Sequence, residues 1–446
     1  MAGSLQNKIA EIRGRIRNDS AYRDLIRTSV WSLFIRVIGT GTGFFVTWTT
    51  ARWFGAESLG IVSICIAMLS IASVFGKLGL DLALVRFISA HFALGDMAGI
   101  RGIYKTSFTR VVFFSSLLAL ILFIAAPWLA ESYLKKPHLV SVLRWNALMV
   151  VPLTLLQVNS ECLRGLRRIG EYTFFQTSSI SSIALLLLVV GSVYFPVVNA
   201  PVFIQFIAIA ISALLSLFSW LKQTGPWRSG IAHTTSKSEL GEVANPMFMT
   251  TVLQLLMSFA GTLVLAAFVP ESEVGIYNAL VRISVFTNIT ILAINGLVMT
   301  RFAATYASGD MRGLRSHSSE AARLILLSSL PIFLVLYLGA SPVLSIFGSA
   351  FEGKETELFV LLAGQLIVVA VGLPSQLLNM TGHHRTMRNI AVVAALVNVI
   401  ACLVLIPSYG MMGACWAQFA GTAVWNLLCI AEVRHRLGFF TFVGGS

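Results

Sequence analysis

Charge is scarce in this chain. Asp, Glu, Lys and Arg make up 11% of 446 residues, against about 25% in a typical soluble domain. Only 19 residues are acidic, and all lie in polar stretches or near the ends of apolar runs, Asp81 and Glu161 coming closest to an interior. A cation-coupled drug antiporter needs a buried carboxylate to hold its proton, sodium or drug, and the sequence offers none. Cysteine is equally sparse. Cys65, Cys162, Cys402, Cys415 and Cys429 form no C-x-x-C pair, which excludes a disulfide framework or a zinc ribbon and leaves them as small apolar packing residues. His383-His384 has no Glu or Cys at ligand spacing, so no metal or other cofactor is expected. Long polar loops are missing too, the longest being Gln223 to Asn245. With no nucleophile–base constellation either, a membrane enzyme such as an oligosaccharide polymerase or glycosyltransferase has nowhere to keep its chemistry. Gly39-Thr40-Gly41-Thr42-Gly43 lacks the G-K-[ST] and the preceding strand of a phosphate loop, and close helix packing explains it better.

Apolar residues fill the gap. They make up 57% of the chain, and the mean hydropathy is +0.83. A bilayer-spanning helix needs about 20 apolar residues, and such runs recur from Val30 onward. Twelve spans are expected, near 30–51, 58–80, 108–130, 140–160, 173–195, 200–221, 246–269, 274–299, 323–348, 357–380, 387–407 and 411–432. The fold class is therefore all-α, a polytopic membrane protein. Its expected divisions are a basic segment 1–29, a six-helix bundle 30–222, a linker 223–245, a second bundle 246–433 and a tail 434–446. Leu5, Ile9, Ile12 and Ile16 lie at helical spacing opposite Lys8, Arg13, Arg15 and Arg17, a pattern shared by an amphipathic surface helix and a solvated basic tail.

The net charge of +13 does not point to nucleic acid, because the basic residues sit between spans. With the N-terminus in the cytoplasm, 24 of the 32 Lys and Arg fall on the inner side. Four fall outside (Arg52, Lys135, Lys136, Lys354) and four within spans (Arg36, Lys77, Arg144, Arg282). Such a bias sets orientation strongly, so both termini are expected in the cytoplasm. No cleavable signal peptide is expected, because the first apolar run is too long for an h-region and lacks a following A-x-A site.

The chain also repeats itself. Arg86-Phe87 followed by Gly95-Asp96-Met97-x-Gly99-x-Arg101 returns as Arg301-Phe302 followed by Gly309-Asp310-Met311-x-Gly313-x-Arg315. Ala51, Gly60 and Ile61 answer to Ala266, Gly275 and Ile276. Self-similarity at this distance marks a duplicated unit. With an even number of spans per unit, the halves should be parallel repeats about an axis along the membrane normal. Asp96 and Asp310 are expected as helix N-caps.

Several motifs carry a family resemblance. Phe54-Gly55-x-x-x-x-Gly60-Ile61, Gly79-Leu80-Asp81-x-Ala83-x-Val85-Arg86-Phe87, Leu163-Arg164-Gly165 and Leu405-Ile406-Pro407-x-Tyr409-Gly410-x-x-Gly413-Ala414 stand in this order along residues 30 to 435. The chain resembles the polysaccharide-transport branch of the multidrug/oligosaccharidyl-lipid/polysaccharide exporter superfamily. The resemblance implies two bundles forming a V that opens alternately to either side, and a cationic cavity that receives a diphosphate. It implies a flippase of undecaprenyl-diphosphate-linked oligosaccharide, an O-antigen or exopolysaccharide unit, in the bacterial inner membrane. Its partners would be that glycan lipid, membrane lipids and other polysaccharide assembly proteins.

Charged groups inside a membrane are costly and mark functional candidates. Arg36 shares a helix face with Thr40, Gly43 and Thr47, and Arg282 shares one with Asn278, while Asn288 and Asn295 occupy another. Arg36 and Arg282 are candidate anion contacts; helix-to-helix hydrogen bonding or snorkelling would account for them equally. Arg52 and Arg144, nearer the outer span ends, complete the expected cationic set. Lys77 and Asp81, four apart, are expected to pair with each other. Pro152 and Pro374 fall in corresponding spans and should kink them.

Overall fold

A computed structural model describes residues 20–77, 79–194, 197–225 and 237–441. The expected amphipathic segment lies outside these residues up to position 19, as do positions 226–236 of the linker and 442–446 of the tail. Among the described residues there is no strand. These residues are mostly helix, in the order α1 (Ser20–Thr49), α2 (Gly55–Lys77), α3 (Leu80–Ala93), α4 (Met97–Trp128), α5 (Val140–Leu148), α6 (Val150–Gly165), α7 (Ile169–Thr173), α8 (Ser179–Tyr194) and α9 (Ala200–Thr224). The second half follows as α10 (Lys237–Phe268), α11 (Glu271–Val285), α12 (Ile289–Ala307), α13 (Met311–Leu338), α14 (Ala340–Phe347), α15 (Glu355–Val371), α16 (Pro374–Met380) and α17 (His384–Leu437).

Nine helical runs among the described residues are long and apolar enough to cross a bilayer, or ten if the bent pair α15–α16 counts as one. Two of them are far longer than one crossing needs, at 47 residues (Trp31–Lys77) and 54 residues (His384–Leu437). The first is interrupted at Gly55, φ +89°. The second reverses at Gly410, whose φ of 53° and ψ of −128° are not helical. The reversal brings Asn398 Nδ2 within 3.1 Å of the Ala417 carbonyl, so α17 is a hairpin of two antiparallel helices.

The two expected proline kinks sit where the physics puts them. Proline cannot donate to the carbonyl four residues back and its ring clashes there. The helix containing Pro152 breaks after Leu148, leaving α5 and α6. The helix containing Pro374 ends at Val371 and resumes at Pro374 with a 45° bend.

The repeat in sequence is a repeat in backbone geometry. Gly95 and Gly309 close helices α3 and α12 with φ of +71° and +72°. Asp96 and Asp310 then cap α4 and α13 at φ/ψ of −83°/80° and −80°/81°. Each accepts a 2.8 Å hydrogen bond from the amide three residues on, Gly99 or Gly313. The first copy adds a 2.9 Å contact between Asp96 Oδ2 and His91 Nδ1. A second pair of turns matches as well. Arg167 (φ +61°) and Gly382 (φ +81°) hold the same left-handed conformation at the ends of α6 and α16.

Within the first half, α6 packs on α3 and α9, and α8 on α1. A buried chain ties three of its helices together: Tyr104 Oη donates to Asn159 Oδ1 (2.7 Å), and Asn159 Nδ2 to Ser216 Oγ (3.1 Å). Polar groups in an apolar interior must find partners, which makes this network a register pin. In the second half α17 packs on α10 and α15. All five cysteines are buried, as packing residues should be. Lys77 is buried as well, but the side chain of Asp81 lies outside the described residues.

The halves meet mainly through α2 against α11 and α10. Gly60 and Gly275 make that contact a backbone one. A Cβ on Gly60 would overlap the Glu271 carbonyl, and one on Gly275 would overlap the Ala56 carbonyl. Beside it, Lys136 Nζ donates to the Val269 carbonyl (2.9 Å) and lies 3.6 Å from Glu271, while His138 Nε2 is 2.9 Å from the same carboxylate. Burial lowers the pKa of the Lys136 ammonium, and Glu271 opposes that shift. Trp48 Nε1 reaches the Ile346 carbonyl (3.1 Å) at this same end.

Candidate functional site

Below that closed end the halves part around a cavity of about 660 Å³. Its walls come from α1 (Gly39, Thr40, Gly43, Thr47), α2 (Leu59, Ser63), the 174–181 segment (Gln176, Thr177, Ser181), α9 (Gln205), α10 (Ser258) and α11 (Asn278, Arg282). Among the described residues Arg282 is the one charged side chain lining it, and no Asp or Glu does.

The local sequence explains why a cation stands here. After Arg282 the chain runs Ile-Ser-Val-Phe-Thr-Asn, and two hydroxyls turn back on the helix. Ser284 Oγ donates to the Val281 carbonyl (2.8 Å) and Thr287 Oγ1 to the Ser284 carbonyl (2.7 Å). Such back-bonding competes with the helical ladder. α11 stops at Val285, a tight turn spans Phe286–Asn288, and α12 starts afresh. Arg282 therefore occupies the last turn of α11, where unpaired carbonyls favour a positive charge. Its side chain remains accessible, because it borders the void.

The rest of the lining is hydroxyl and amide. Thr40 and Thr47 donate their own protons to the Arg36 and Gly43 carbonyls (3.0 and 3.1 Å), so they present acceptor lone pairs inward. Asn278 is held by Thr262 Oγ1 (3.0 Å) and by its own donation to the Val274 carbonyl (2.9 Å). One guanidinium among neutral groups suits a ligand with a compact anionic part and a polyhydroxylated part.

Of the four arginines expected to form a cationic set, the structure brings Arg282 to the cavity. Arg36 lies one turn of α1 beyond the Gly39–Thr40 edge and does not line it; its Nε is buried without a hydrogen-bond partner among the described residues. Arg52 is exposed in the turn after α1. Arg144 is exposed on α5, its guanidinium 5.5 Å from the centre of the Phe123 ring. Asn278 and Arg282 do share a wall, while Asn288 bonds to Gln365 (2.8 Å) and Asn295 borders a separate void of about 300 Å³ inside the second half. Gln176 and Gln205 were not singled out from sequence. An amide in the middle of an apolar run was the available signal.

Comparison with known proteins places this architecture. A family model described as polysaccharide biosynthesis protein matches residues 25–300. The chain belongs to that family. This polysaccharide biosynthesis family member is a multi-pass membrane protein, and it is 22% identical over 417 residues to the probable low-salt glycan biosynthesis flippase Agl15 of Haloferax volcanii. That match covers 91% of this chain and 82% of the relative. Its fold is shared with solved transporters. A multidrug resistance MATE family transporter of the MOP superfamily in an inward-facing conformation superposes with a TM-score of 0.74 at 15% identity, covering 91% of this chain and 98% of the other. The lipid II flippase MurJ in an inward closed conformation gives 0.72 at 16% identity, covering 92% and 87%.

Proposed function

We propose that the chain flips a polyprenyl-diphosphate-linked oligosaccharide, an O-antigen or exopolysaccharide repeat unit, across the bacterial cytoplasmic membrane. The observation that carries this reading is the cavity between the halves, whose one described charge is a guanidinium with no carboxylate beside it. A diphosphate must shed water to enter, and a cation in a low-dielectric site replaces part of that hydration. Arginine suits the task because its planar fork binds phosphate oxygens bidentately and keeps its proton. The surrounding hydroxyls and amides match sugar hydroxyls. The likeness to a glycan flippase and to a lipid II flippase supports the same substrate class.

In this reading Arg282 takes the diphosphate and Arg36 meets it on the way. Arg52 and Arg144 stand away from the cavity and have no part. Counting the bent pair α15–α16 as one crossing and the 47- and 54-residue runs as two each gives twelve. The arginine bias puts the termini and the paired Gly-Asp-Met turns in the cytoplasm, and the Lys136–Glu271 end outside. The matched turns support two bundles, 30–222 and 246–433, related about the membrane normal. Transport then consists of opening the Gly60–Gly275 contact while the cytoplasmic side closes. A ligand drives that exchange only through differential affinity for the two states.

The test is to delete the gene and identify what accumulates. The expected product is the complete oligosaccharide on its polyprenyl diphosphate, held on the cytoplasmic face. Unchanged lipid-linked glycan together with new sensitivity to cationic drugs would favour a drug antiporter instead.

A further inference from the structure

Three glycines on α1 stand in unlike surroundings. A Cβ on Gly39 would meet the 177–178 backbone, 2.9 Å from the Thr177 carbonyl and 3.2 Å from the Ser178 Cα. One on Gly41 would meet nothing within 4 Å. One on Gly43 would overlap Nη2 of Arg282, with its Cζ at 3.3 Å and Ser181 Oγ at 3.5 Å. The tip of the cavity's one described charge, carried by the second half, thus rests in a notch that the missing side chain of Gly43 leaves in the first half. Helix α1 has no conformational need for glycine at this position, because its backbone there is regular helix. A glycine in a helix interior costs about 1 kcal/mol relative to alanine.

We infer that Gly43 is a positioning residue for Arg282: its bare backbone seats the guanidinium against α1 with its donors toward the cavity. The inference rests on the flippase reading above. A methyl group at position 43 would push the guanidinium out of the notch. It would cost the fold little, since what must move is the free end of a flexible side chain and alanine is the better helix former. At position 39 the obstacle is backbone, so the same substitution is a packing defect. Because the notch and the cation come from different halves, the seat exists only while α1 and α11 are together, which links headgroup affinity to the state of the transporter.

The experiment uses the purified full-length protein in detergent, with farnesyl diphosphate as the charged probe and farnesol as its uncharged counterpart. Gly43→Ala should weaken farnesyl diphosphate binding about tenfold, the loss of one charge-assisted contact. Farnesol binding should stay as in the parent and the melting temperature should not fall, and Gly41→Ala should bind both probes like the parent and likewise not melt lower. A cycle with Arg282→Ala completes the test: if the notch acts only through Arg282, adding Gly43→Ala to Arg282→Ala has no further effect. Additive losses overturn the inference, as does a Gly43→Ala protein that binds the diphosphate like Gly41→Ala, or one that melts early as Gly39→Ala should. Unaltered diphosphate binding by Arg282→Ala alone contradicts the flippase reading instead, so the two failures are distinguishable.

Discussion

The halves of this protein meet in two ways. At one end α2 and α11 touch backbone to backbone through Gly60 and Gly275, locked by Lys136, Glu271 and His138. A few turns away the same helices stand apart around a void with a single described charge, Arg282. Both regions place cations between the halves, yet only the first gives its cation a carboxylate. Lys136 is neutralised by Glu271 and cannot bind a ligand without surrendering that partner. Among the described residues Arg282 has no Asp or Glu beside it in the cavity, so its positive charge is left for an anion. In the proposed function one cation serves as a lock and the other as a receptor.

Breaking the lock should have the largest effect on stability. Glu271→Ala leaves the Lys136 ammonium buried against Val269 without its carboxylate, at a cost of about 3 kcal/mol. The melting temperature should fall, and the Lys136→Met, Glu271→Leu pair should recover most of the loss. A double variant no more stable than Glu271→Ala would mean the pair is not the lock. Gly60→Ala should cost about 2 kcal/mol, because the Glu271 carbonyl must move away from the new methyl group. Thermal unfolding checks this, and a neutral result would remove the backbone contact from the account. Arg167→Gly probes the matched turn far from either region. A non-glycine residue in the left-handed conformation costs about 1 kcal/mol, so this variant should melt slightly higher, with glycan export unchanged. Equal or lower stability would show that the Arg167 side chain repays its strain.

Much of the fold was legible in the sequence, and less of this contrast. Low charge and long apolar runs gave the helical membrane class. The Gly-Asp-Met copies gave two caps of near-equal geometry, and the spacing of Asn278 and Arg282 gave a shared wall. What escaped was depth and phase between helices. Arg36 shares a face with Thr40, Gly43 and Thr47, and those three do line the cavity, but Arg36 lies a turn too far along the axis. Periodicity reports the face of a helix, not where along it a partner stops. The break at Phe286–Asn288 was equally hidden, since Ser284 and Thr287 look like ordinary span residues until their hydroxyls turn back. The lock was invisible for a further reason: Lys136 and Glu271 are 135 positions apart, and nothing local pairs them.

The account turns on Arg282 as the receptor for the headgroup. In a strain lacking the chromosomal gene, export of the surface glycan should be measured with Arg282→Ala, Arg282→Lys and Glu271→Gln at matched protein levels. The prediction is loss of export for Arg282→Ala with accumulation of the lipid-linked precursor inside, and partial export for Arg282→Lys, which keeps the charge without the fork. Glu271→Gln, which alters the lock and not the receptor, should retain export. Full export by Arg282→Ala would contradict the account.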